Sequence, residues 1–144
     1  MLGSRLKQGT ALQQGMPWWK YFSNRFLTRL ENWVFGLKLS EFHTGYRAFR
    51  RDVLETVNYA MKSDGFILDQ EIVAQFVAAK FQIAEIAVPT RYFPEASSAS
   101  LWQSIVYGLK IVWLVTFFLL FRLGLAHARR FQALRDRYKP LEKD

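Results

Sequence analysis

Between Leu101 and Phe121 the chain runs for 21 residues with a single charge, Lys110. From Ile111 to Phe121 it is apolar throughout except for Thr116. A helix needs about 20 such residues to cross the hydrocarbon core of a bilayer. The stretch must therefore be either the buried centre of a fold or a membrane-associated helix. Burial demands protein on every side of it, and a chain of 144 residues has little left to supply that. The flank beyond is cationic, with Arg122, Arg129, Arg130, Arg135, Arg137, Lys139 and Lys143. Such a flank suits anionic headgroups. The reading is a membrane or interfacial helix over 99–126, followed by a basic cytoplasmic tail over 127–144. Lys110 is costly at mid-bilayer unless it snorkels. A single span with a cytosolic N-terminal part would also carry the basic tail outside, against the positive-inside rule. This favours an interfacial or re-entrant helix, or one of two spans.

Charge is segregated along the chain. Residues 1–60 carry nine Lys or Arg against four acids, residues 61–100 three against five, and residues 101–144 eight against three, for a net +8. Two basic ends favour anionic partners: nucleic acid, phosphate-bearing substrates or anionic lipid. Nucleic acid is disfavoured, because the cations flank an apolar helix and no nucleic-acid motif is present. The chain has no cysteine. That excludes disulfides, thiolate nucleophiles and Cys-based zinc sites. An aromatic share of 17% suggests that some aromatic surface meets an apolar partner.

The first residues, Met1 to Arg5, read as the end of a strand with nothing before it, and Gln8 to Gly15 as a loop. Pro17 can open a helix. Apolar residues then recur at helical spacing to Phe35 (Trp19, Phe22, Phe26, Leu30, Trp33, Val34), with Arg25, Arg29 and Asn32 on another face. Gly36 ends it. Thr44 to Phe49 reads as a short strand or turn, Asp52 to Val57 as a short helix, and Ser63 to Gly65 as a turn. Asp69 can cap a helix to about Lys80 whose apolar face holds Ile72, Val73, Phe76 and Val77. Phe81 to Val88 is a candidate strand stopped by Pro89, and 90–100 a Ser- and Pro-containing loop.

His43 and His127 are the only histidines, far apart in sequence, and no Asp-x-Asp occurs, so no metal site is expected within the chain. No Gly-x-Ser-x-Gly, Gly-x-Gly-x-x-Gly or Walker loop is present either. What remains is phosphate chemistry by Arg and backbone N–H groups. Arg offers a planar fork for phosphate, and Arg5, Arg47 and Arg91 each stand near the end of an expected strand or turn, where α/β sheets place ligands. The run from Ser40 to Arg51 holds His43, Thr44, Gly45 and three arginines in twelve residues. Gly45 permits a backbone shape that aims N–H groups at a ligand. Arg50 and Arg51 are equally read as neutralising Asp52 and Glu55. Asp69 and Glu71 read either as helix-start carboxylates or as groups that face a substrate hydroxyl or order nearby arginines. His43 is either a turn residue or a sugar or phosphate contact.

These pieces resemble the polyprenyl-phosphate (dolichol-phosphate) sugar transferases among the family-2, GT-A-fold glycosyltransferases. Gly3-Ser4-Arg5 is similar to that family's Gly-Ser-Arg after a central strand, with Gly15-Met16-Pro17 and Asn24 similar to the loop and helix that follow. His43 to Ala48 resembles its Thr/Ser-Gly-Phe/Tyr-Arg-Ala signature, Phe66 to Glu71 its Phe-x-Asp-x-Glu helix start, and Ile83 to Tyr92 its Ile-x-Glu-Val-Pro strand. The resemblance covers residues 1–108 and implies an α/β fold: a partial GT-A (Rossmann-like) domain over 1–98, followed by the membrane-associated helix. It implies transfer of a sugar from a nucleotide sugar to a polyprenyl phosphate at the cytoplasmic face of a membrane, with membrane lipids as further partners. The family's donor half carries the Asp-x-Asp for Mg²⁺ or Mn²⁺. That half is absent here, so the chain reads as the acceptor part and is expected to be inactive alone. By the resemblance, Arg47, Asp69 and Glu71 are the catalytic candidates. Gly3, Ser4, Arg5, Lys20, Ser23, His43, Thr44, Gly45 and Arg91 are the candidates for substrate binding. Arg47→Ala is expected to cost activity without unfolding. The alternative is a non-catalytic membrane-surface protein that binds anionic lipid or phosphate.

Overall fold

A computed structural model of the chain describes residues 1–57, 67–89, 92, 100–127 and 131. Arg91, the expected turn at 63–65, most of the 90–100 loop and nearly all of the basic tail lie outside the described residues. The element order is β1 (Leu2–Ser4), α1 (Trp18–Phe35), α2 (Arg51–Thr56), α3 (Leu68–Ala78), β2 (Glu85–Ala87) and α4 (Leu101–Arg122).

The strand β1 runs parallel to β2, with Gly3 opposite Ile86. On its other edge β1 meets the 46–48 segment. The Gly3 N–H donates to the Tyr46 carbonyl at 2.8 Å, and the Ala48 N–H to the Met1 carbonyl at 2.9 Å. An isolated antiparallel bridge joins Leu2 to Arg47. The expected strand over 81–88 is thus reduced to three residues, and the expected strand or turn at 44–49 is that single bridge. Gly3 allows this close approach: a Cβ there would lie 2.6 Å from Val88 Cγ2 and 3.0 Å from Tyr46 Cβ.

Helix α1 has the expected limits. Pro17 precedes it, and Gly36 closes it at φ 69°, donating its N–H to the Asn32 carbonyl. Helix α4 opens on a capping box, with Ser100 Oγ accepting from the Gln103 N–H while the Gln103 side chain accepts from the Ser100 N–H. Asp69 does not cap α3. The cap position is Ile67, whose side chain offers no acceptor, and Asp69 and Glu71 both fall within the first turn. Their charge still complements the helix dipole there.

The main core joins Leu2, Val34, Phe35 and Phe42 to Val73 and Ala74 of α3 and to Ile111, Leu114, Val115 and Phe118 of α4. Each of these large side chains contributes about 1.5–3 kcal/mol on full burial. One face of α4 is thus built into the fold, while the rest is exposed or half-buried. The inward face of α1 differs from expectation. Val34 and Phe35 are buried, but so are Asn24, Thr28 and Glu31, whereas Phe22, Phe26 and Trp33 of the expected apolar face are exposed.

Candidate functional site

The polar residues buried behind α1 meet those around β1 in one connected cluster. Its centre is Glu41, fully buried and missed by sequence reasoning. The Glu41 carboxylate accepts from the Arg5 N–H at 2.7 Å, from Arg5 Nε at 2.8 Å and from Arg5 Nη2, and the Asn24 amide donates to it at 2.7 Å. The Arg5 guanidinium also donates to the His43 carbonyl at 3.0 Å and to the Tyr92 hydroxyl at 2.8 Å. Burial works against the Arg5 charge, but the bonds and charge of Glu41 outweigh it and raise the pKa. Among the described residues, one Nη1 hydrogen of Arg5 is left for a ligand.

Lys20, at the start of α1, lies close enough to feel this guanidinium. Its pKa is lowered, first by burial and then by repulsion from Arg5. Its ammonium stands 5.2 Å from the Trp19 ring centroid. Arg5, Lys20 and the Tyr92 hydroxyl form the part of the cluster best suited to an anion, which would relieve the repulsion between the two cations.

Ser4 is an anchor rather than an open hydroxyl. It accepts from the N–H groups of Leu6 and Lys7 and lies 2.6 Å from Ser40 Oγ. Ser40 gives its own proton to Glu85 at 2.9 Å, so Ser4 must donate to Ser40. Gly3 serves the sheet contact described above. Thr44 is buried, its hydroxyl accepting from the Tyr46 N–H. Gly45 is exposed at the surface. It takes no left-handed φ, and a Cβ there would meet no atom within 4 Å, so the described geometry does not require glycine.

His43 is turned inward. Its Nδ1 lies 3.1 Å from Asn24 Oδ1, and its Nε2 lies 2.9 Å from Glu31 Oε2. The Asn24 amide is oriented by its donation to Glu41, and its oxygen also accepts from Thr28. His43 Nδ1 must therefore carry hydrogen. Glu31 is fully buried, and neither of its carboxylate oxygens, nor His43 Nε2 facing them, has a hydrogen-bond partner among the described residues. The His43 ring meets Tyr107 of α4 edge-on at 5.8 Å. Burial pushes the Tyr107 phenol up to about 12.

Arg47 is a cross-link. It donates to the carbonyls of Thr44 (3.0 Å), Asp69 (2.7 Å) and Phe42 (2.9 Å), and its Nη2 lies 3.6 Å from the Asp69 carboxylate. Burial pulls its pKa down despite Asp69. Asp69, half open to solvent, thus orders an arginine, one of the roles its sequence position suggested. Glu71 is buried. Removing Arg47 would break the tie between the 42–46 segment and α3, so loss of fold accompanies any loss of activity. Arg50 and Arg51 pair with Asp52 and Glu55 on the surface, at 2.6 and 2.7 Å.

The structure brings Gly3, Ser4, Arg5, His43, Thr44, Arg47 and Asp69 around β1, with Lys20 beside Arg5. Ser23 stands apart, lining an open groove of about 260 Å³ between α1 and α4. Beyond Glu41, sequence reasoning missed Glu31, Tyr92, Tyr107 and Gln70, whose amide donates to the Phe42 carbonyl at 3.0 Å and to the Tyr107 hydroxyl at 3.2 Å. A lone acid in an otherwise aromatic and basic helix was the available signal for Glu31. Among the described residues no three His, Asp or Glu side chains converge as metal ligands. Glu41 and Asp69 are bound to Arg5 and Arg47. These residues do not fit a divalent ion.

Over 101 residues the chain is 33% identical to the low-salt glycan biosynthesis hexosyltransferase Agl6 of Haloferax volcanii, a match that covers 69% of this chain and 23% of that protein. The chain thus spans less than a quarter of that relative's length. No family model matches the sequence, and no solved structure matches it. The similarity supports a glycosyltransferase-like role. By length and composition, α4 is apolar enough to cross a membrane, which suggests membrane association.

Proposed function

We propose that this chain is the acceptor-side part of a family-2, GT-A-type glycosyltransferase that moves a sugar from a nucleotide sugar to a polyprenyl phosphate at the cytoplasmic face of a membrane. The observation that carries this reading is the similarity to a hexosyltransferase over most of the chain. The parallel β1–β2 pair and the clustering of the Gly-Ser-Arg and Thr-Gly-Tyr-Arg segments around it support it.

In the reaction an oxygen of the acceptor phosphate attacks the anomeric carbon. A new carbon–oxygen bond forms, the bond to the nucleotide diphosphate breaks, and that diphosphate leaves with the electron pair. A phosphate monoester has its second pKa near ~6, so the attacking oxygen is already largely ionised at neutral pH and needs no strong base. This suits a site whose histidine is buried away from the surface. Arg5 and Lys20 hold the acceptor phosphate, and catalysis rests on positioning and charge stabilisation. Glu41 and Tyr92 hold Arg5 in place. Stabilising the charge on the leaving diphosphate is not assigned to any residue of this cluster.

The test is binding of a short-chain polyprenyl phosphate to the purified chain in detergent, compared with the matching polyprenol. The phosphate is expected to bind at least tenfold more tightly, and Lys20→Gln to remove most of that margin while Lys20→Arg keeps it. Equal binding of phosphate and alcohol would reject the assignment. The purified chain alone is expected not to turn over nucleotide sugar, and turnover would reject its reading as the acceptor part.

A further inference from the structure

Helix α1 is built inside out. At about 100° per residue, Trp18, Phe22, Phe26 and Trp33 fall within about 80° of one another, opposite the buried arc of Asn24, Thr28, Glu31 and Phe35. They are 70%, 63%, 65% and 70% exposed. Helix α4 continues this surface with Trp102, Ile105, Leu109, Val112 and Trp113, all exposed. The two patches are contiguous, because Phe26 of α1 and Ile105, Leu109 and Val112 of α4 line the same open groove. Single exposed apolar residues are ordinary, but a continuous face across two helices marks an interaction surface.

From this arrangement we infer that α1 and α4 together form one monotopic membrane face, with both helices lying flat in the headgroup region of an anionic bilayer. Charge selects this occupant. The only acid on α1 is the buried Glu31, and α4 has no Asp or Glu. Cations accompany the apolar surface: Arg29 within the aromatic arc, Arg25 at its edge, and Lys110 on α4. A second copy docked face to face would set these cations against one another, whereas anionic headgroups neutralise them. All five tryptophans of the chain lie on α1 and α4. Indole rings favour the headgroup level of a bilayer.

The same packing decides between lying flat and spanning. One side of α4 is locked into the core through Ile111, Leu114, Val115 and Phe118, and Arg122 donates to the Val34 carbonyl of α1 at 2.8 Å. A spanning α4 would draw α1 into hydrocarbon, together with the Glu31, Asn24 and Glu41 cluster beneath it. Charged groups resist that transfer strongly. Lying flat immerses the aromatic face and leaves the cluster above the membrane. The inference shares with the proposed function only the siting at a membrane. It stands if the chain transfers no sugar.

The experiment is flotation of the full chain with phosphatidylcholine vesicles containing or lacking 30% phosphatidylglycerol (about one lipid in three, enough to give the negative surface potential that attracts basic segments). The wild-type chain is expected to float with the anionic vesicles. The quadruple variant Trp18→Ser, Phe22→Ser, Phe26→Ser, Trp33→Ser should lose on the order of a hundredfold in partitioning, with circular dichroism showing the helices retained. Arg25→Gln with Arg29→Gln should lose about fivefold per cation, on the anionic vesicles only. Single-tryptophan proteins retaining Trp18, Trp33, Trp102 or Trp113 should all be quenched by shallow-brominated lipid and little by deep-brominated lipid. Unchanged partitioning of the folded quadruple variant would overturn the inference. So would deep quenching at Trp113, which marks a span, or a dimer in light scattering that the quadruple variant abolishes while vesicle binding persists.

Discussion

The inward face of α1 carries Asn24, Thr28 and Glu31, and its outward face carries Trp18, Phe22, Phe26 and Trp33. A helix on the surface of a water-soluble domain has these reversed. Two of the inward polar groups are hydrogen-bonded, Asn24 with Glu41 and His43 and Thr28 with Asn24, while Glu31 faces His43 Nε2 at 2.9 Å without a hydrogen bond. The outward aromatics have no such internal partner in the core. They leave an apolar surface continuous with that of α4. One face is thus specified by the protein's own interior, and the other needs a surrounding medium. Energetically, substitutions on the inner face should act on the fold, and those on the outer face on what the molecule adheres to.

Glu41→Ala is the strongest challenge to this division. It leaves Arg5 and the Asn24 amide without their carboxylate, and a loss of about 3–5 kcal/mol is expected in urea unfolding. A loss below about 1 kcal/mol would show that the inner cluster does not hold the fold. Arg47→Ala should follow at about 3 kcal/mol, since it abandons three backbone carbonyls as well as Asp69. A normal denaturation midpoint with lost ligand binding would restore Arg47 as a purely functional residue.

Tyr107 gives a pH readout of the inner face. Its phenol is raised from 10.0 to about 12, first by burial. The folded chain therefore keeps a proton that the unfolded chain releases. This contribution is complete below pH 10 and is lost as pH rises toward about 12. Stability should fall by about 2–3 kcal/mol across that window, and Tyr107→Phe should flatten the fall. An identical slope in the variant would place the phenol in a wetter setting than its burial implies. The smallest effect belongs to the outer face: Phe22→Ser or Trp33→Ser should change unfolding free energy by no more than about 0.5 kcal/mol. A larger destabilisation would mean that these aromatics pack within the fold after all.

Much of the secondary structure was legible because its signals are local. Pro17 and Gly36 bracket α1, and the surface pairs Arg50–Asp52 and Arg51–Glu55 need only short-range spacing. Residues of the candidate cluster were legible as types, since Gly-Ser-Arg and His-Thr-Gly-Tyr-Arg stood out. Their roles were not. Whether an arginine faces solvent or an internal carboxylate depends on contacts such as Arg5–Glu41, 36 residues apart. The strand over 81–88 was overcalled because alternation alone does not say how many residues find a ladder partner.

By itself the sequence determined that residues 101–121 must leave water, that cations outnumber acids at both ends, and that α1 has one aromatic and one polar arc. Periodicity and composition suffice for each of these. Only the tertiary structure decided which arc of α1 points inward. A helical period is symmetric with respect to inside and outside until another element supplies partners. Here Glu41 and His43 supply them to the polar arc, and the aromatic arc is left facing out beside α4.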